Sequence, residues 1–293
     1  MSTPQVSVII ATYNRAPFLG EALASVLAQT FADYEIIVAD DGSTDDTAAR
    51  VASIDAPIRY LRLEHSGRPS VARNRALAVA RGGFIAFLDD DDLWRPAKLA
   101  RQVQALTGDD APDFVYSDMR FLYTDGALSP PVLTPRQKRS GHILAHLFGD
   151  CFIYPSTVLM RRAVLDTVSW FDESMSIGED YDLWLRMAYA ARAGFMAEPL
   201  VLVRRHASTI SRRRELETYR NAITSLERAH AGFTLSLRQG VRLRRALARM
   251  HTHLGLLLMH RQQAAEARRH FLDSLRANPF QRRAWLALVE SRR

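Results

Sequence analysis

Through the first hundred residues, short apolar runs alternate with helix-length segments, and the runs break off into polar clusters. Residues 6–11 are apolar and rich in β-branched side chains, which predicts a first strand, and Thr12, Tyr13, Asn14 and Arg15 follow it. Pro17 then opens a helix carrying Phe18, Leu19, Ala22, Leu23, Val26 and Leu27 along one face. Residues 35–39 predict a second strand that ends in Asp40, Asp41, Gly42 and Ser43. Ser43 is the expected cap of the next helix, with Asp46 three residues on completing a capping-box pattern. Residues 58–63 predict a third, shorter strand and residues 70–80 a helix that Gly82 and Gly83 terminate.

The run that follows, residues 84–88, is too short for a typical helix and reads as a strand buried on both faces. It leads directly into four consecutive carboxylates, Asp89, Asp90, Asp91 and Asp92. In an extended segment Asp89 and Asp91 would face one way, and Asp90 and Asp92 the other. Four adjacent anions repel one another and call for a compensating positive charge, such as a hard divalent cation with oxygen ligands, Mg²⁺ or Mn²⁺. The plainer reading is that Asp91 or Asp92 caps a helix beginning near Pro96. One cap needs one carboxylate, however, and leaves the other three unexplained.

Strand–helix alternation of this kind calls for a mostly parallel α/β sheet with covering helices. Tyr13 with Asn14, Asp40 with Asp41, and Asp89 to Asp92 then lie at strand ends on one edge, where open α/β sheets bind ligands. The middle is less regular. Residues 114–123 read as strand, and residues 127–141, with Pro130, Pro131 and Pro135, as a long loop suited to act as a mobile lid. Residues 157–160 form a short predicted strand, Gly178 opens a helix reaching about Arg192, and residues 199–204 form a last strand before Arg205 and His206. Beyond 214 only helix is expected, so the chain divides into an α/β domain, 1–214, and an α-helical extension, 215–293. Within the extension, residues 253–288 resemble one tetratricopeptide-like helix pair, which cannot bury its own face alone.

Charge sharpens that division. Residues 1–203 carry 19 Lys/Arg against 26 Asp/Glu, a net of −7, whereas residues 204–293 carry 20 against 6, a net of +14. The basic part is rich in arginine, which suits phosphate groups and anionic membrane surfaces. It lacks a recognised nucleic-acid motif and has few interleaved aromatics, which argues against nucleic acid as a partner. No apolar run reaches the ~18 residues of a membrane-spanning helix. The start of the chain reads directly into a strand with no secretory leader expected, and the single cysteine, Cys151, fits packing in a reducing cytoplasm.

The ordered motifs over roughly residues 5–212 resemble those of family 2 glycosyltransferases, inverting enzymes of the GT-A fold. The resemblance implies a Rossmann-like, mixed but mostly parallel sheet built to hold a nucleotide-diphospho-sugar. The run at residues 6–14 looks like the family's opening strand and nucleotide-binding loop, which brings Ala11, Tyr13 and Asn14 to the donor. Asp41 looks like the acid that contacts the base, and Arg73 with Asn74 like the basic element facing the nucleotide. Asp89 to Asp92 resembles the Asp-x-Asp motif: Asp91 matches the metal ligand and Asp89 faces the ribose, with Asp90 beside them. Glu179 and Asp180 match the acidic pair holding the catalytic base, which the resemblance places on Asp180. His206, with Arg205, Ser208 and Ser211, resembles the closing motif near the diphosphate, a donor-binding and metal-side position. The helical extension lies outside the family's pattern.

The implied activity is inverting transfer of a hexosyl or N-acetylhexosaminyl group from a nucleotide donor, UDP-linked by expectation. The acceptor would be a glycan, a lipid-linked sugar or a protein, as in polysaccharide biosynthesis. Mn²⁺ or Mg²⁺ is the implied cofactor. The site would be cytoplasmic, with peripheral attachment to the inner face of the membrane through the basic extension. A competing reading keeps the fold but makes the chain a non-catalytic nucleotide-sugar-binding scaffold that presents its helices to partners. Asp91 together with Glu179 and Asp180 speaks against it, since a scaffold need not keep both.

Overall fold

A computed structural model describes residues 3–205 and 214–291. The strands are β1 (Val6–Thr12), β2 (Tyr34–Asp40), β3 (Ile58–Arg62), β4 (Phe84–Asp89), β5 (Leu93–Trp94), β6 (Phe114–Leu122), β7 (Val158–Arg161) and β8 (Ala193–Arg204). The helices before β8 are α1 (Ala16–Leu27), α2 (Thr47–Ala52), α3 (Pro69–Val79), α4 (Lys98–Leu106), α5 (Leu144–Leu147), α6 (Arg162–Val168) and α7 (Glu179–Ala190). Those after it are α8 (Glu215–Gly232), α9 (Leu237–His260), α10 (Ala264–Ala277) and α11 (Arg282–Glu290).

All eight strands join one mixed sheet in the order β3-β2-β1-β4-β7-β6-β8-β5. β3, β2, β1 and β4 run parallel, and their register pairs Ala11 with both Ala39 and Asp89, and Thr12 with Asp40. The C-terminal ends of these strands therefore share one edge, and their polar loops meet there. β7 pairs antiparallel with β4 and β6, while β6 and β8 pair in parallel. Val8, Ile9, Ile10, Ile37, Val38, Ile85, Ala86 and Phe87 are buried, as strands covered on both faces require.

Several local expectations change. Ser43 does not cap a helix. α2 begins four residues later, and Ser43 Oγ instead accepts the Asn14 backbone N–H at 2.9 Å. β8 starts at Ala193 rather than 199, because β6 offers it a full-length parallel partner. The loop read as a lid is tethered. Buried Asp118 accepts the N–H groups of Val132 and Leu133 at 3.1 and 3.0 Å, and Lys138 Nζ lies 3.0 Å from the same carboxylate. Trp94 and Trp184 are buried packing residues.

The chain divides into two compact units, one of Met1–Ile143 and Phe152–Ala207, the other of Leu144–Cys151 and Ser208–Arg293. The second unit thus takes in a segment from the middle of the chain that charge and periodicity did not mark. Its helices α9 and α10 approach closely at Gly255, where a Cβ would stand 2.5 Å from the Phe271 ring. Beside that contact Thr252 Oγ1 donates to the Ala248 carbonyl at 2.8 Å and lies 2.8 Å from Ser274 Oγ. No helix among the described residues is long and apolar enough to cross a membrane.

Candidate active site

The edge is assembled loop by loop. Asn14 sits in the left-handed region, φ 53°, which its short amide tolerates, and its side-chain oxygen accepts the Thr44 N–H at 2.7 Å. This clasp joins the loop after β1 to the loop after β2. Asp40 is buried and shapes that second loop, accepting the Ser43 N–H at 2.8 Å and the Tyr60 hydroxyl. Asp41 points the other way, to residues 65–67: one carboxylate oxygen accepts Ser66 N and Oγ at 2.9 and 2.7 Å, the other Gly67 N at 2.8 Å. Gly42 lies at φ +80°, with His65 N 2.9 Å from where a Cβ would stand, so the turn has room only for glycine.

His65 is the residue the sequence reading passed over. Its ring stacks on Tyr13 with centroids 4.0 Å apart and planes 22° from parallel. Its Nδ1 donates to the Asp41 carbonyl at 2.8 Å, which fixes the tautomer. Tyr13 is 40% exposed, so this stacked pair presents an open aromatic face beside the Asp41 loop. A planar base can lie on such a face.

The four aspartates do not alternate as an extended strand would. β4 ends at Asp89 and the chain turns, with Asp92 N–H donating to the Asp89 carbonyl at 3.0 Å. Each carboxylate consequently meets a different partner. Asp89 takes Arg73 Nη2 at 2.7 Å, Asp90 takes the Thr12 hydroxyl at 2.8 Å, and Asp91 takes Arg15 Nη1 at 2.5 Å. Asp92 accepts Ser156 Oγ at 2.6 Å and the Arg204 backbone N–H at 3.1 Å. Asp90 is therefore not turned away from the cluster; it lies 3.9 Å from Arg15 Nε.

Arg73 ties the two acidic motifs together. Its guanidinium is buried and reaches Asp89 with one nitrogen and Glu179 Oε1, at 2.5 Å, with the other. Such a fork suits a guanidinium and would not suit a lysine. Glu179, Asp180 and Asp182 occupy the first turn of α7, where free N–H groups favour anions. Asn74 is spent elsewhere: its amide donates to the Phe171 carbonyl and accepts the Phe171 N–H, at 2.9 and 3.1 Å. Arg204 Nε donates to the Asp91 carbonyl at 3.0 Å. His206 lies outside the described residues, as do Ser208 and Ser211.

The charges do not cancel. Burial, and then the neighbouring Asp91, push Asp90 up to about 7. Burial raises Asp92 well above the ordinary carboxylate range, and Asp89 rises for the same reason although Arg73 opposes it. Asp180 also rises to about 7, through burial and then repulsion from Glu179, again against Arg73. An all-oxygen donor set with surplus negative charge fits a hard divalent cation. Asp91 is 21% exposed at its side chain and pairs with Arg15.

A curled, mostly parallel sheet whose acidic loops line one edge is the GT-A transferase fold. The family model for glycosyl transferase family 2 matches residues 7–169, and the chain belongs to that family. RP339, an uncharacterized glycosyltransferase of Rickettsia prowazekii, is 33% identical over 222 residues, 74% of this chain and 70% of its own length. The succinoglycan biosynthesis protein ExoO of Rhizobium meliloti is 35% identical over 67% of this chain, which spans 59% of ExoO. The Escherichia coli UDP-Glc:α-D-GlcNAc-diphosphoundecaprenol β-1,3-glucosyltransferase WfgD is 33% identical over 61% of this chain and 68% of its own. Among solved structures, S. aureus TarS 1-349 in complex with UDP-GlcNAc superposes with a TM-score of 0.72 over 98% of this chain and 89% of TarS, at 20% identity. The mannosyltransferase PcManGT of Pyrobaculum calidifontis, in complex with GDP-Man and Mn²⁺, gives 0.63 over 100% and 81%, at 20% identity.

Proposed function

We propose that this glycosyltransferase moves a hexosyl or N-acetylhexosaminyl group from a UDP-sugar to a lipid-linked glycan acceptor, with inversion, using Asp180 as general base. The observation that carries this reading is the Arg73 bridge. It joins the aspartate end of β4 to the start of α7, which puts a donor-side carboxylate and the candidate base in one charge network. A carboxyl pushed up to about 7 is half ionised at neutral pH and holds a proton firmly enough to accept one from an acceptor hydroxyl. Inversion in one displacement needs only that single base.

On the donor side, Tyr13 and His65 would cover the base, the Asp41 loop would meet its edge, and Asp89 would face the ribose. Ala11 and Asn14 shape the loop after β1, and Asp90 supports it through Thr12. A divalent cation at Asp91 would supply Lewis-acid stabilisation of the leaving diphosphate, and Arg15 would yield that carboxylate to it. UDP is favoured because WfgD's name specifies a UDP donor and TarS was crystallised with UDP-GlcNAc. A lipid-linked acceptor is favoured because the WfgD acceptor is a diphosphoundecaprenol. The arginine-rich helices suit peripheral attachment to an anionic membrane, each basic residue near the surface adding ~1 kcal/mol.

The deciding experiment is a donor-hydrolysis screen over UDP-, GDP- and dTDP-sugars with and without Mn²⁺. Turnover of a UDP-sugar that requires the ion, with none of the GDP- or dTDP-sugars turned over, is the expected result. Metal-independent turnover, or a preference for another nucleotide, removes the corresponding part of the proposal. Salt-sensitive sedimentation with anionic liposomes checks the membrane assignment.

A further inference from the structure

Away from the sheet edge, the helical unit gathers a second set of metal-ligating side chains. His251 on α9, and His270 with Asp273 on α10, each offer one ligand atom, and the three atoms lie within 4.8 Å of one another. His270 and Asp273 are three residues apart, so one face of α10 presents both. The close approach at Gly255 and Phe271 brings that face against α9.

The geometry of the two imidazoles is the telling feature. Their Nδ1 atoms are 2.9 Å apart. Nε2 of His251 lies 3.9 Å from Glu227, and Nε2 of His270 lies 4.0 Å from Glu266. A carboxylate behind an imidazole favours the proton on the nitrogen facing it, the arrangement found behind metal-bound histidines. Without an ion, one Nδ1–H donates to the other Nδ1 across 2.9 Å; with both protons on Nε2, the same two Nδ1 lone pairs would be free to bind one cation. Nitrogens bound to tetrahedral zinc at ~2.0–2.1 Å stand roughly 3.3 Å apart, so the pair need open by only about 0.4 Å.

We propose that His251, His270 and Asp273 form a site for a divalent transition ion of the zinc class, joining α9 to α10. Two imidazoles and a carboxylate are the ligand chemistry that such ions prefer over Mg²⁺. A fourth position would stay open to water, with Glu227 and Glu266 about the outer side of the rings, Glu266 also pairing with Arg220 at 2.8 Å. Asp273 also pairs with Arg276 at 2.6 Å, an exposed contact that the ion would replace. This site is chemically unlike the all-oxygen edge at Asp91 and independent of it.

The test uses the full chain, stripped with a chelator and titrated with Zn²⁺ against a chromophoric competitor. Wild type and Asp91→Ala should each take up one tight equivalent that His270→Ala lacks. Co²⁺ in place of Zn²⁺ should give the strong visible absorption of tetrahedral coordination in the first two proteins and not in the third. Asp273→Asn, at a half-exposed position, keeps the fold even if the buried change does not, and should weaken Zn²⁺ binding at least ~10-fold. Equal stoichiometry and affinity in wild type and Asp273→Asn overturns the proposal, as does loss of the tight equivalent in Asp91→Ala.

Discussion

The polar edge of the sheet and the Thr252–Ser274 stretch of the seam between α9 and α10 both bury polar groups, with opposite consequences. In that stretch the groups are neutral hydroxyls, and Thr252 and Ser274 satisfy each other and the Ala248 carbonyl within 2.8 Å. Closed hydrogen bonds of this kind each contribute ~1 kcal/mol and ask for nothing further. At the edge Asp89, Asp90 and Asp92 also have partners, yet each holds its proton too tightly for an ordinary carboxylate. Hydrogen bonding satisfied their geometry without balancing their charge. Burial with closed bonds makes a joint; burial with surplus charge makes a place that favours a cationic ligand.

The sharpest way to test that contrast is to remove the proposed base while keeping its shape. Asp180→Asn should lower turnover by roughly 10²–10⁴, about 3–5.5 kcal/mol of barrier, with donor binding intact. If Glu179→Gln falls instead and Asp180→Asn does not, the base lies one residue earlier. Asp91→Ala should abolish metal-dependent UDP binding in calorimetry and leave the fold unchanged; retained Mn²⁺-dependent affinity would remove Asp91 from the role.

The surplus charge should also show itself as a pH dependence. Asp90 titrates from 3.8 in the unfolded chain to about 7 in the fold, so between those values the folded state holds the extra proton. Its contribution therefore falls as pH rises through that window, by on the order of 2–4 kcal/mol. Urea unfolding in chelator across pH 4–8 should show a flatter decline for Asp90→Asn than for wild type, and parallel curves would refute the charge argument. At the seam, Gly255→Ala should lower stability by ~1–3 kcal/mol through overpacking against Phe271, with donor binding unaffected. A change in UDP affinity there would mean that the two regions are not independent.

Much of the edge was legible because strand periodicity makes strand ends predictable and carboxylates are conspicuous there. The parallel register of β1, β2 and β4 then brought Tyr13, Asp41 and Asp89 to one side. Arg15, His65 and Arg204 were not legible. Each is a single side chain whose importance comes from a partner distant in sequence, such as Arg204 beside Asp91. The alternation of the four aspartates failed for a local reason, since the turn after Asp89 ends the extended geometry on which it depends. Ser43 went wrong similarly: Asn14, from another loop, competed for it and won.

The excursion at Leu144–Cys151 has a consequence for anyone who edits this gene. Leu144, Leu147 and Phe148 are buried, and they group with helices encoded after Ser208. A stop codon placed at the apparent end of the catalytic half would deprive those three side chains of their cover and leave an oily bump on an otherwise finished domain. Expression of such a truncation should give aggregate rather than a minimal enzyme. A workable dissection requires two edits, the stop codon and a short polar replacement of the excursion.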